Sequence, residues 1–310
     1  NTSVILGVSF ENWERICKEE GKTIPKGMKL NYPKKSNPNQ SRAFKESNGV
    51  FNDSDADIWF HIKSDNEDAC KIVLNLILTY LKSNTERYYA QPAASKSSNE
   101  DGHAGKVLGC RFSENLNNPS DPVTIAKHTI IGCEDIEHLG GSFVLAQRFL
   151  INWNQINAMT EDQIEDLIGR KTDDTIIPDR DSRSHIKASR VQDENGNTTP
   201  ILRLGLPFGR AESNSSFRVP KSVTKADEAG IYFAGFAKTA AILEEVMASQ
   251  IGAIEGFMND RLFNSLHSDL GGIFYIPSLK DLALDDAPEY LNDFSRLDKD
   301  NWNFFPGMDW

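Results

Sequence analysis

The chain has 310 residues, a formal net charge of −11, and an ordinary share of charged and apolar residues. That length accommodates one large domain or two medium ones with a sizeable core. So acidic a surface repels nucleic acid and anionic membranes, and no run of about 18 apolar residues spans a bilayer, so both partners are excluded while a local basic pocket is not.

In chain order, residues 3–10 are short and apolar-rich and predict a strand, followed by a helix over 11–20. The alternation in 57–63 (DIWFHIK) predicts a second strand. Over 66–81, Ala69, Ile72, Val73, Leu76, Ile77 and Tyr80 recur at helical spacing behind Asp65, a candidate N-cap. A further strand is expected over 87–91. Residues 92–140 break this pattern with small, polar and turn-forming residues, and a loop of that length suggests function.

The second half restarts with a strand over 141–150 (GSFVLAQRFL). A helix follows over 160–170, with Thr160 as N-cap and Gln163 completing a capping box. Strands are expected over 201–206, 231–237 and 272–276. Between the last two, residues 238–249 form an amphipathic helix with Ile242, Val246 and Met247 inward. Each half has the strand and helix order of a ferredoxin-like unit. The tail from Asp281 is acidic, then aromatic (NWNFFPGMDW). Its aromatic residues are expected to dock on the body, with Trp302 or Trp310 as an alternative surface radical site.

Cys17, Cys70, Cys110 and Cys133 form no C-x-x-C pair. Free thiols are expected, with a Cys110–Cys133 pair as the alternative. No basic segment with an apolar core opens the chain, so no signal peptide is read. A cytoplasmic location is expected, with a trimmed leader left open.

Candidate chemistry centres on Ser184-His185-Ile186-Lys187, with Arg190 close behind and Arg203 on an apolar strand. Other segments join it: the turn Asp193-Glu194-Asn195-Gly196, Ile201-Leu202-Arg203, and Leu206-Pro207-Phe208-Gly209. Gly140-Gly141-Ser142-Phe143 through Gln147-Arg148-Phe149 comes earlier, as does Ile168-Gly169-Arg170. Phe274-Tyr275-Ile276-Pro277-Ser278 closes the set. In this order the motifs resemble the dye-decolourising peroxidases, strongly over 140–280 and weakly over 1–90.

The resemblance implies an α+β fold of two tandem ferredoxin-like domains with antiparallel sheets, of the dimeric α+β barrel type, enclosing a haem. The domains would be 1–139 and 140–310. It implies one haem b per chain, hydrogen peroxide and an organic electron donor as partners, and self-association. His185 would be the iron ligand, a neutral imidazole whose second nitrogen needs a partner to fix its tautomer. Counting back from Phe274 places Asn264 in that role, with Asp260 as the fallback. Arg203 matches the distal arginine, a fixed cation for the charge that develops as the O–O bond breaks. The family often has a polar side chain two residues on, where this chain has Gly205.

The family's distal acid lies in Gly-Phe-x-Asp-Gly-Thr-x-Asn-Pro. Aligned on Asn118-Pro119, Phe112 takes the place of the Phe and Glu114 that of the Asp. Aligned on Gly109, Phe112 itself takes the acid's place. Asp135 in Gly132-Cys133-Glu134-Asp135 is a weaker third match. Lys187, Arg190 and Arg148 are candidates for the haem propionates, and Leu206 for the cofactor's apolar surroundings. His61, His103, His128, His138 and His267 lack ligand spacing and read as structural or exposed. The altered signature supports a second reading, a haem protein of the same fold used for haem transfer, sensing or other haem chemistry. A third is a structural relative that has lost haem.

Overall fold

The computed structural model describes residues 2–31, 33–91, 93, 106–107, 112–113, 118–190, 201–208, 229–256 and 258–282. Glu114, Cys110, His103, the 193–196 turn, Gly209, Trp302 and Trp310 lie outside them.

The first half contributes β1 (Thr2–Ser9), α1 (Phe10–Glu20), α2 (Arg42–Glu46), β2 (Ile58–Ser64), α3 (Glu67–Leu81), β3 (Lys106–Val107), β4 (Phe112–Ser113) and α4 (Pro122–Thr129). The second contributes β5 (Ser142–Ile151), α5 (Trp153–Asn157), α6 (Glu161–Ile168), α7 (His185–Ala188), β6 (Leu202–Phe208), β7 (Gly230–Ala237), α8 (Ala240–Gln250) and β8 (Leu266–Ile276). Six strands form one antiparallel sheet in the order β2-β1-β8-β5-β7-β6. Within it, β8-β5-β7-β6 is the strand order of a ferredoxin-like β-α-β-β-α-β unit, as the sequence implied. β1 joins this unit through Val8 and Ser9, which pair with Tyr275 and Phe274.

The sheet has an apolar cluster on each side, which explains why β5 reads as a nearly unbroken apolar run. Phe143, Leu145 and Phe149 enter one cluster with Tyr275, Ile201 and Ile186. Val144 and Ala146 enter the other with Leu202, Ala234, Phe236 and Phe274. Every residue of β5 except Leu150 is buried. Its polar Gln147 is satisfied there, because its amide exchanges two 2.9 Å hydrogen bonds with the Asn52 backbone.

The predicted helix ends follow from local chemistry. Ser9 caps α1, and Gly21 ends it at φ 67°. Thr160 and Gln163 form the expected capping box of α6. At α3 the cap is Asn66 rather than Asp65: Asn66 Oδ1 accepts from the Asp68 and Ala69 amides at 2.8 and 3.3 Å. Residues 87–91 form no strand. α8 is buried on more than one face, since the segment before β2 also lies against it. There Glu244 accepts from the Asn31 amide at 2.6 Å and from the Ser41 hydroxyl. Ile242, expected inward, is only half-buried. Cys17, Cys70 and Cys133 are free thiols. Among the described residues no helix is long and apolar enough to cross a membrane.

Candidate active site

His185 opens α7, a helix of four residues. Two neighbours fix its position. The αL turn at Gly169 (φ 91°) ends α6 directly against Ser184, where an added Cβ would come within 2.8 Å of the Ser184 hydroxyl. Only glycine satisfies both the backbone angle and that approach, which accounts for the Ile168-Gly169-Arg170 motif. On the other side, the Ser249 hydroxyl of α8 donates to the Ala188 carbonyl at 2.9 Å.

The partner of the His185 ring is Asp260. Its Oδ2 lies 2.6 Å from His185 Nδ1, and its side chain is fully buried. The same carboxylate uses Oδ1 to accept from the Leu262 amide at 2.9 Å, capping the short 3-10 helix Arg261–Asn264. Backbone bonds from Asp260 N to Gln250 O (2.8 Å) and from Arg261 N to Arg183 O (2.9 Å) clamp the two segments together. A buried carboxylate beside an imidazole accepts a hydrogen bond from Nδ1–H, which favours the tautomer with the Nε2 lone pair available as a ligand. The expectation for Asn264 is therefore corrected. It stands at the far end of the 3-10 helix and lines a cleft with Asn48, Val50, Phe263 and His267.

Arg203 lies on β6, the edge strand of the sheet, opposite Gly235. Its outward backbone edge is covered by one side chain. The Arg203 amide donates to Asn118 Oδ1 at 2.8 Å, and Asn118 Nδ2 donates to the Arg203 carbonyl at 2.7 Å. Among the described residues no strand pairs with this edge, and the Asn118 amide supplies the two bonds a neighbouring strand would make. The Arg203 guanidinium reaches only the Ile201 carbonyl, at 3.4 Å, among the described residues. Burial, then the charge of Arg190, pushes it down to about 10.

Arg190 ties the two halves of the site together, since it follows the His185 helix and acts on Arg203. Arg180 is also lowered, first by burial and then by Arg190. Its Nε is buried without a hydrogen-bond partner among the described residues. In an acidic protein, the Arg190 charge thus acts on two other guanidiniums, Arg180 and Arg203, just past the short helix that carries the Asp260-paired His185. Such a donor set fits an iron porphyrin, with one nitrogen ligand for the metal and cations for its carboxylates. Of the residues in this arrangement, the sequence motifs rank Asp260 second, use Asn118 only as an alignment anchor, and do not single out Arg180.

Alternation along the strands separates the other candidates. Leu206 is three residues from Arg203 on β6, so it faces the opposite side of the sheet. Arg148 is on that opposite side too, with its guanidinium 4.8 Å from the Phe208 ring centroid. There Arg148 Nε donates to Gln91 at 2.8 Å and Nη1 pairs with Asp269. Its charge is matched away from the Arg203 face. Lys187 is exposed and Arg190 half-buried. Phe112 is buried in the core beneath Arg170, whose guanidinium lies 5.6 Å from the ring centroid. Asp135 is buried and accepts from the Lys26 amide at 2.7 Å, a structural role.

Fold and site together define an α+β protein of ferredoxin-like strand order that carries a carboxylate-paired histidine on a short helix and a desolvated arginine on the edge strand. A family model described as "Dyp-type peroxidase, C-terminal" matches residues 110–281, more than half of the chain. The chain belongs to the Dyp-type peroxidase family, an oxidoreductase family. It is 25% identical over 283 residues to the dye-decolorizing peroxidase of Mycobacterium tuberculosis, covering 89% of this chain and 73% of that one. A Dyp-type peroxidase structure from Shewanella oneidensis superposes with a TM-score of 0.72 at 21% identity, over 91% of this chain and 81% of the other. A Rhodococcus jostii DypB variant in complex with heme gives 0.68 at 22% identity, over 94% and 81%.

Proposed function

We propose that this protein is a haem peroxidase that reduces hydrogen peroxide and oxidises organic donors, dye-like or phenolic, by single electrons. The observation that carries the reading is the His185–Asp260 pair at 2.6 Å, on the short helix that leads into Arg190, whose charge acts on Arg203. Haem b, one per chain, supplies the redox chemistry when bound: two electrons for the peroxide, recovered singly from the donor.

His185 would hold the iron through Nε2. Asp260 keeps the proton at Nδ1 and makes the ring more electron-rich, which favours O–O cleavage. Arg180, Arg190 and Lys187 would meet the propionates. Arg203 stabilises the negative charge that develops on the departing oxygen, and its desolvation strengthens that effect. Glu114 is assigned as the acid that moves a proton from one peroxide oxygen to the other; Asn118, four residues on, is held on β6. The division at 139/140, a cytoplasmic location and self-association belong to the same reading.

Reconstitution with hemin tests it. A Soret band should appear that His185→Ala abolishes. One equivalent of peroxide should change the spectrum before any donor is added, and a phenolic donor should restore it. An inert spectrum, or a band indifferent to His185→Ala, refutes the reading. A normal band without donor turnover would favour a haem-binding role instead.

A further inference from the structure

Gly205 follows Arg203 by two residues on β6, so both point to the same face, about 6.8 Å apart along the strand. A glycine inside a strand weakens it relative to alanine, so it needs a reason. Backbone angle is not the reason, because Gly205 is absent from the positive-φ glycines. Crowding is not the reason either. A Cβ on Gly205 would meet only Ile231 Cγ2, at the ordinary distance of 3.8 Å, among the described residues. Gly235, opposite Arg203, is different: there a Cβ would press on Phe233 at 3.1 Å and Ile201 at 3.3 Å.

Among the described residues, the missing side chain at Gly205 therefore leaves an opening. Its one described wall is apolar, the half-buried Ile231, while the Phe233 ring, from the residue paired with Gly205, leans over Gly235 opposite Arg203. Its neighbour is a guanidinium whose only described partner is one carbonyl at 3.4 Å. A cation beside a small apolar recess suits a polar oxygen pair that carries an organic group.

We propose that the recess at Gly205 admits the alkyl or aryl group of an organic hydroperoxide, with the peroxidic oxygens at Arg203, so that the protein reduces ROOH as well as hydrogen peroxide. The proposal rests on the peroxidase reading and names its oxidant class. The O–O bond breaks. The oxygen bearing R takes one proton and leaves as ROH, and the other oxygen ends as water. Two donor molecules, AH, each give one electron and one proton and become A•. The sum is ROOH + 2 AH → ROH + H2O + 2 A•.

The test compares the haem-loaded wild type with Gly205→Ala and Gly205→Val. Second-order rate constants are measured for hydrogen peroxide and cumene hydroperoxide. Filling the recess with valine should lower the cumene-to-hydrogen-peroxide rate ratio about tenfold, and alanine should lower it less. Binding gives an independent readout: Gly205→Val should weaken n-butyl isocyanide about tenfold more than methyl isocyanide. Thermal melts confirm that the variants are folded, as the open Cβ position predicts. Ratios that stay unchanged while hydrogen peroxide still reacts would overturn the proposal alone. A haem-loaded protein inert to both peroxides would overturn the peroxidase reading with it.

Discussion

Asp260→Asn is a nearly isosteric change that separates geometry from charge at His185. In the native protein each carboxylate oxygen faces a donor, with the Leu262 amide at 2.9 Å on Oδ1 and His185 Nδ1 at 2.6 Å on Oδ2. Asparagine has one oxygen and one NH2. Either orientation sets a donor against a donor, at the helix cap or at the imidazole. If the cap keeps the oxygen, His185 can relieve the clash only by moving its proton to Nε2, which removes the lone pair that would bind iron. A charge-assisted hydrogen bond is worth about 1.5–3 kcal/mol. The loss of a ligand's buried partner lowers metal affinity about 10–100-fold, or about 1.4–2.7 kcal/mol, the same range. Hemin titration of the apoprotein, followed at the Soret band, should therefore show a 10–100-fold higher Kd. The ferric/ferrous midpoint of the loaded protein should shift positive, because the imidazole loses its anionic partner. Asn264→Ala should change neither quantity. Wild-type affinity within about twofold and an unmoved midpoint in Asp260→Asn would refute the assignment.

Three further outcomes are expected. Arg203→Leu should raise the thermal midpoint of the apoprotein by roughly 2–4 °C, since it removes a charge that burial already disfavours, while peroxide reduction by the loaded protein falls at least about 100-fold; a lower midpoint would show that the cation is stabilising. Asn118→Ala should cost only about 1–2 kcal/mol in urea unfolding, because water can reach the freed backbone groups at the strand edge, yet slow the reaction with peroxide about 10–100-fold by loosening Arg203; an unchanged rate would show that Arg203 keeps its position without Asn118. At the fully buried His138, both nitrogens face acceptors, Thr23 O at 2.8 Å and Asp281 Oδ1 at 3.1 Å. Burial alone would lower this histidine, but the Asp281 hydrogen bond and charge outweigh it and raise it above 6.5. The pair's full contribution is thus present below pH 6.5 and lost as pH rises through the raised value. The thermal midpoint should fall over that window in the wild type and flatten in His138→Gln, which should cost about 3–5 kcal/mol at pH 6.

What was legible in the sequence followed strong local rules. The capping box at Thr160 and Gln163 and the apolar run of β5 were readable because caps and central strands advertise themselves in composition. The His185 and Arg203 segments stood out because several motifs kept their order. Asp260 ranked second because β8 begins at Leu266, earlier than its apolar core suggests, and because the histidine's partner is an N-cap whose side chain points back out of its helix. Leu206 could have been excluded at once, since an odd offset from Arg203 on a strand means the other face. Arg148 could not, because its face depends on the register of β5 with β7 and β8, a non-local fact. Residues 87–91 have the composition of a strand, but Tyr88 and Tyr89 are exposed and without strand pairing.

The two supports of the site share a design that bears on how it tolerates change. Asp260 caps a helix with one oxygen and holds His185 with the other. Asn118 pairs with both backbone groups of Arg203 and so closes the open edge of β6. Each therefore meets a backbone requirement that exists whether or not chemistry takes place. Removing either support loosens the local fold and the reactive side chain together, so a loss of activity after alanine substitution at these positions does not identify a chemical role. Only changes that keep the backbone bond and alter the other contact can do so. At Asp260 such a change is available, because asparagine retains an oxygen for the Leu262 amide. At Asn118 both ends of the amide serve the backbone of one residue, so its influence on peroxide chemistry must pass through the position of Arg203.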